Sequence, residues 1–402
     1  FIGGGSNNTA SPYNSTVVGG RNNASSGIYS FVGGGDSNSG TTNHSVVVGG
    51  YCNTASGCFS FIGGGCCNTA TTNYSTVVGG RKNTASSTGS TIGGGCCNTA
   101  SGCFSFIGGG CCNTASGYRS FIGGGTCNCT TTSSTGSTIG GGYKNCTIGF
   151  YSTIGGGRCN RATGFCSTVG GGGFNCSIGV RSTIAGGFCN SVDGTYSSIV
   201  GGRCNIVTSP VSSIGGGSYN ISSGNTSTIS GGYLNTAGGC LSAILGGGRA
   251  CAPRHGQRSF AAGTWDTFTG NGQTQQIDLV GRNTTTGSTP VNIFLNGSNA
   301  RINVIDGTAM FVTINIAGIT SGGTSAAHYI RKVAIKNVGG TTSLIGTVST
   351  IGTDVEDNAL YDVTITADNT NDALDIQVTG AVGDTMRWTI HISGVEIKYS
   401  WS

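Results

Sequence analysis

A serine returns at a strict fifteen-residue interval from Ser15 through Ser30, Ser45, Ser60, Ser75, Ser90 and Ser105 to Ser120, and, after a two-residue insertion, from Ser137 to Ser242. An asparagine keeps the same interval from Asn8 to Asn128 and from Asn145 to Asn235. Two residues beyond each of the sixteen serines stands Ile or Val, and the fourth and fifth residues beyond are always Gly, as at Gly19-Gly20 and Gly246-Gly247. A repeat this short and regular describes one structural unit stacked on copies of itself. Fifteen residues are too few for a pair of helices, but they suit two short strands and two tight turns. Alternation along each strand puts Ser and Ile or Val on one face, opposite Asn and a small residue on the facing strand. The reading is an all-β parallel β-solenoid with one lap per repeat, whose corners take their positive φ from glycine. Ile92 then lies beside Ile107, Asn98 beside Asn113 and Cys97 beside Cys112, as rungs of structural ladders. At the parallel-strand spacing of about 4.8 Å, the sixteen laps give a rod on the order of 75 Å long.

Composition excludes the competing explanations of so much glycine. The chain has 78 Gly, four Pro and 8% charged residues. Without a G-X-Y period it is not collagen, and with so few charges it is not a typical disordered linker. No run of apolar residues is long enough for a membrane-spanning helix, so no membrane insertion is expected. The first residues, Phe1-Ile2-Gly3-Gly4-Gly5, already stand mid-repeat, and the sequence reads as a fragment or processed form of a longer one.

Ser90-Thr91-Ile92-Gly93-Gly94-Gly95 and Asn98-Thr99-Ala100-Ser101-Gly102 form the two halves of one repeat. The pattern resembles the left-handed parallel β-roll of YadA-like trimeric adhesin heads, with paired Ser/Ala-x-Ala-x-Gly halves, over roughly Phe1 to Gly248. The repeat here is one residue longer, with a Gly triplet at one corner. The resemblance implies a homotrimer, in which closed three-fold symmetry buries what one thin stack leaves open.

The repeat fails after Ser242, and three segments follow from composition: a β-roll shaft at 1–248, a transition at 249–263, and a C-terminal β-sandwich or jelly-roll module at 264–402. Residues 1–259 hold twelve Lys/Arg and two Asp/Glu, a balance of +10; residues 260–402 hold seven and twelve, a balance of −5. The positive charges are scattered at fewer than one per lap, which reads as a solvated surface rather than a nucleic-acid site. Strands alternate plainly at Val363 and Ile365, at Leu374, Ile376 and Val378, and at Trp388, Ile390 and Ile392. Further strands are expected at Ile277–Val280, Val291–Leu295, Phe311–Ile316, Tyr329–Ile335 and Leu344–Val348. Val333-Ala334-Ile335, Gly340-Thr341-Thr342-Ser343-Leu344-Ile345-Gly346-Thr347, Ala373-Leu374-Asp375-Ile376 and Met386-Arg387-Trp388 together resemble a C-terminal β-module of bacteriophage tail fibres, over roughly residues 285–400. That resemblance implies a distal module that trimerises or contacts a host surface.

Chemistry is sparse. His44, His255, His328 and His391 stand in no Ser-His-Asp arrangement, and no Gly triplet is followed by the Lys and Ser/Thr of a phosphate loop. Asp354, Glu356 and Asp357, and Asp368 with Asp372, are the acidic clusters that a glycosidase would draw on; they read as solvated loops. No catalytic, cofactor or metal residues are assigned, and the chain reads as non-enzymatic. The candidate receptor contacts are aromatic: Trp265, Trp401, Tyr329 and Tyr361, with Trp388 read as core. All nineteen cysteines precede residue 252, eight of them directly before the periodic Asn. Free thiols are favoured over a ladder of disulfides. The expected function is a trimeric structural and adhesive fibre of a phage or virus particle, outside the cell, with host glycan or protein receptors and other virion proteins as partners. A bacterial cell-surface adhesin and a polysaccharide-cleaving tailspike are the alternatives.

Overall fold

The structure, a computed structural model, describes residues 1–264 and 273–398. It is all-β, with no helix among the described residues: a parallel β-solenoid of about 17 turns followed by a small antiparallel region. The chain divides into two compact units, Phe1–Gly202 and Arg203–Ser402.

In the first unit every lap contributes two strands of two residues each. Thr91–Ile92 pairs with Phe106–Ile107, and Thr99–Ala100 with Thr114–Ala115, all parallel and offset by one repeat. The core is a single file of Val and Ile from Val17 to Val169 facing a file of alanines such as Ala85, Ala100 and Ala115, all fully buried. Large against small makes the stack thin. Where the alanine is replaced by a hydroxyl, the periodic serine answers it: Thr130 Oγ1 donates to Ser120 Oγ at 2.9 Å, and Ser177 and Ser182 Oγ lie 2.6 Å apart. The lap carrying the insertion keeps the stack, because Ile122 pairs with Ile139 and the extra residues stay at a corner.

The asparagine column holds the glycine corner. Asn113 takes its place under Asn98 by donating its backbone N–H to Asn98 Oδ1 at 3.0 Å. Its own Nδ2 donates to Gly109 O and Gly125 O, both at 2.9 Å, so each asparagine closes its own corner and grips the next. Gly110 sits in this corner at φ +89, and a Cβ there would lie 2.1 Å from Gly125 O. Gly110→Ala is therefore expected to destabilise the unit by more than about 2 kcal/mol, of which left-handed strain supplies about 1–2 kcal/mol and the backbone clash the rest. Gly109, where an added Cβ meets nothing within 4 Å, supplies the tolerated control. Trypsin cleavage after Arg119 under native conditions is the measurement: faster in Gly110→Ala, unchanged in Gly109→Ala.

Glycine is not alone in the left-handed region. The residue before each periodic Asn and the residue before most periodic Ser adopt positive φ, as at Cys97 (58°), Cys112 (57°) and Phe104 (55°). Such a residue costs about 1–2 kcal/mol, offset by interlap hydrogen bonds such as Cys112 N to Cys96 O and Phe104 N to Thr88 O, each 2.9 Å.

The second unit opens with laps of the same kind: Ile221–Ser222 pairs with Thr236–Ala237, and Thr236–Ala237 with Cys251–Ala252. Parallel pairing thus runs past residue 248, and the stretch expected as a transition forms one more lap, closed by Ala243–Gly248 against Arg258–Thr264. From there the pairing turns antiparallel. Arg258–Thr264 joins Gln273–Thr286, which pairs along its whole length with Thr385–Lys398. That strand pairs in turn with Thr308–Thr320, and Thr308–Thr320 with Ala326–Val338. A second sheet is built on Ala373–Thr379, flanked by Asp362–Asp368 on one side and by Val291–Asn292 and Ile302–Asn303 on the other. Inward residues of both sheets, including Met310, Ile314, Ile376, Val378, Trp388 and Ile392, form one core.

Candidate functional site

Trp388 is the centre of the module's aromatic cluster. It is 2% exposed, and its indole N–H donates to Thr285 Oγ1 at 3.0 Å. Its ring lies across Gly318, where a Cβ would come within 2.5 Å of it. Tyr329 stacks near it with centroids 6.4 Å apart, and Tyr361 meets it edge-on at the same distance. Both tyrosine rings are buried, so neither offers a face to a ligand; only their hydroxyls reach the rim. Each hydroxyl donates to a carboxylate at 2.6 Å, Tyr329 to Glu356 and Tyr361 to Asp384. Burial, then the adjoining carboxylate, pushes both phenols above their ordinary range, so they remain protonated donors.

The rim beside this cluster is acidic. Asp354 is clamped by the Arg331 guanidinium at 2.6 and 2.8 Å, which holds its carboxyl below the usual range. The same guanidinium lies 5.3 Å from the Tyr329 ring centroid. Asp357 accepts the Ala326 N–H at 2.7 Å. Asp368 and Asp372 belong elsewhere: Asp368 binds Arg301 and Asn371, and Asp372 accepts the Thr342 hydroxyl, so both brace loops. Of the acidic residues singled out in the sequence, the structure thus gathers Asp354, Glu356 and Asp357 at one edge and adds Asp384, which no local pattern flagged. Trp265 and Trp401 lie outside the described residues.

A second feature escaped the sequence reading altogether. On the sheet formed by Thr308–Thr320, Ala326–Val338 and Thr385–Lys398 lies an open groove of about 430 Å³, lined among others by Phe311, Thr313, Lys332, Ile345, Ser349 and Ser393. Phe311 is 46% exposed, and the lining contains a cation but no carboxylate. Its residues come from strands far apart in the chain, so no spacing could have shown it.

The solenoid offers a different surface. Tyr29, His44, Phe59 and Tyr74 stack in sequence at 5.1, 4.5 and 5.3 Å, tilted by no more than 10°. The inner rings are covered on both faces by their neighbours, so this ladder presents edges rather than stacking platforms. Several of its cations lie over rings instead of forming a patch, as Arg119 does over Tyr118 and Arg158 over Phe174.

No protein-family model matches the chain, and no curated protein matches it in sequence. Among solved structures, it is similar to the tailspike protein gp49 of Acinetobacter baumannii bacteriophage Fri1, a capsular polysaccharide depolymerase. Identity is 9% and the TM-score 0.22, over 98% of this chain and 71% of that one. It is also similar to the tailspike protein of Acinetobacter baumannii phage AM24, at 9% identity and a TM-score of 0.19, over 86% of this chain and 78% of that one. The first of these proteins is an enzyme, which runs against the reading of this chain as non-enzymatic, and that reading is withdrawn; the depolymerase activity is that protein's own.

Proposed function

We propose that the chain is a fibre or tailspike component of a phage particle, assembled as a homotrimer, whose module engages an acidic polysaccharide on the host surface. The observation that carries this reading is the groove around Phe311. A sugar ring has an apolar C–H face and a rim of hydroxyls. Phe311 and Ile345 suit the former, while Thr313, Ser349 and Ser393 replace water on the latter. A volume of about 430 Å³ falls within the range of small-ligand sites, and Lys332 without a competing carboxylate favours an anionic sugar. The solenoid laps suit a stiff spacer, each held by its asparagine, and three linked modules would gain avidity from effective concentration.

A second reading adds cleavage of that polysaccharide. It is favoured by Glu356 and Asp384, two carboxylates each oriented by a buried tyrosine hydroxyl; glycoside hydrolysis draws on such a pair. One experiment addresses both. The full chain is passed over immobilised uronate-bearing and neutral oligosaccharides, and reducing ends are counted in solution. Retention on uronate-bearing glycans, weakened about tenfold (roughly 1.4 kcal/mol) by Phe311→Ser, is the expected result. Release of reducing ends that is lost in Glu356→Gln and Asp384→Asn, with binding kept, establishes cleavage. A chain that retains no acidic glycan, or whose retention ignores Phe311→Ser, overturns the proposal.

A further inference from the structure

Cys129 and Cys146 open two strands that are direct parallel neighbours: Cys129 partners Cys146, and Thr130 partners Thr147. Thr130 and Thr147 are fully buried, so alternation sends both cysteines to the same outer face of the sheet. In registered parallel strands neighbouring Cα atoms stand about 4.8 Å apart, inside the range of about 4.4–6.8 Å that a disulfide spans. Both are free thiols, neither fully buried. The next rung is Arg161, so Cys146 stands between a thiol and a guanidinium.

Cys96 and Cys111 are likewise partners in adjacent laps, but each has a second thiol beside it in sequence, Cys97 at 3.3 Å and Cys112 at 3.4 Å between sulfurs. Cys111 and Cys112 are adjacent in sequence with sulfurs 3.4 Å apart, and their mutual hydrogen bond, followed by burial, pushes Cys112 up to about 11. Cys146 moves the other way. The adjoining Cys129 thiol and, behind it, the charge of Arg161 bring it down to about 7 against the effect of burial, while Cys129 is pushed up by its neighbour Cys146 and by burial. Cys146, the member with a guanidinium on the next rung, is the attacking thiol of the pair and Cys129 the resolving one.

We infer that Cys129 and Cys146 form a redox-responsive pair, which a low-molecular-weight disulfide such as oxidised glutathione converts into a disulfide between adjacent laps. The Cys146 thiolate attacks one glutathione sulfur, forming a mixed disulfide and expelling a glutathione thiolate. Cys129 gives up its proton to solvent and attacks the Cys146 sulfur, expelling the second glutathione. Two protein thiols are oxidised, and one glutathione disulfide is reduced to two glutathiones. The bond would tie the lap that carries the two-residue insertion, the longest lap of the stack, to the next one. Such a bond would persist only outside a reducing compartment.

Trypsin isolates the answer, because cleavage after Arg119, Lys144 and Arg158 yields Ser120–Lys144, with Cys127 and Cys129, and Asn145–Arg158, with Cys146 alone. The full chain is treated with oxidised glutathione while folded, its remaining thiols are alkylated, and it is then unfolded and digested. The expected result is that the two peptides appear mainly as one linked species that carries a single alkyl group, on Cys127, and lies about 2 Da below the sum of the two peptides so alkylated, with fragmentation placing the bond at Cys129. The link persists in Cys127→Ser and is lost in Cys129→Ser. Separate peptides, alkylated or glutathionylated, overturn the inference, as does a link that runs through Cys127. The wild-type digest decides this alone, should a variant fail to fold. Failure here leaves the glycan reading untouched, since the two rest on different residues.

Discussion

Asn113→Asp opens the solenoid around its own lap, at a cost of roughly 5 kcal/mol or more. Asn113 is fully buried, and its amide nitrogen supplies the hydrogen for two carbonyls, Gly109 O and Gly125 O, while its Oδ1 accepts the Asn128 N–H at 2.9 Å. Aspartate has the same shape and no donor. Both carbonyls would face a carboxylate oxygen, and each unsatisfied buried group costs about 1–3 kcal/mol, with the buried charge adding more. Asn113→Ala, which removes the bonds without adding a charge, is expected to cost roughly 3 kcal/mol. Because laps contact mainly their neighbours, the loss is local. Aspartate keeps an oxygen for the Asn128 N–H, so amide exchange there should rise steeply only because the lap opens, while the laps around Val17 and Ile184 keep their protection. Exchange at Asn128 unchanged in Asn113→Asp would refute the role given to the column.

Glu396→Leu is expected to cost the second unit about 3–5 kcal/mol. Glu396 and Arg254 are 3% and 4% exposed and form an ion pair inside the last lap and module. Gln275 Nε2 donates to Glu396 at 2.6 Å, and Arg254 also donates to Asn303 O and Gln257 Oε1. Removing one partner strands a charge in a dry site. Arg254→Met alone is expected to do comparable damage. The double variant Arg254→Met, Glu396→Leu is expected to recover most of the loss, since buried pairs replaced by apolar groups are near neutral. Urea unfolding of the four proteins closes the cycle. A double variant as unstable as the sum of the singles would show that the pair contributes nothing as a pair.

The lap was legible because every copy must present the same residue at the same place. What the asparagine does there was not. The alternation of Asn-x-Ala placed it on a strand facing the serine, whereas its amide spans the corner between Gly109 and Gly125. The left-handed corners at Cys112 and Phe104 left no mark either, because those positions vary in side chain and share only a backbone angle. In the module, alternation located the strands but not their extent. Thr308–Thr320 runs well beyond Phe311–Ile316, since Thr and Gly at its ends break the apolar pattern without breaking the ladder. Tyr329 and Tyr361 read as surface aromatics, yet the fold buries both rings around Trp388 and leaves only their hydroxyls to the acidic rim.

Fifteen residues with fixed Ser, Ile or Val, Gly-Gly and Asn determine the solenoid unaided, because each lap is built from its own sequence and meets an identical neighbour. Which side of a module strand is dry is another matter. Val395-Glu396-Ile397 would by hydropathy turn its two apolar residues inward, and the structure does the opposite, leaving Val395 39% and Ile397 37% exposed and Glu396 buried. The reason lies 142 residues away, where Arg254 waits inside the last lap: a buried cation sets the face of a strand with which it shares no local sequence, and only the folded chain brings them together.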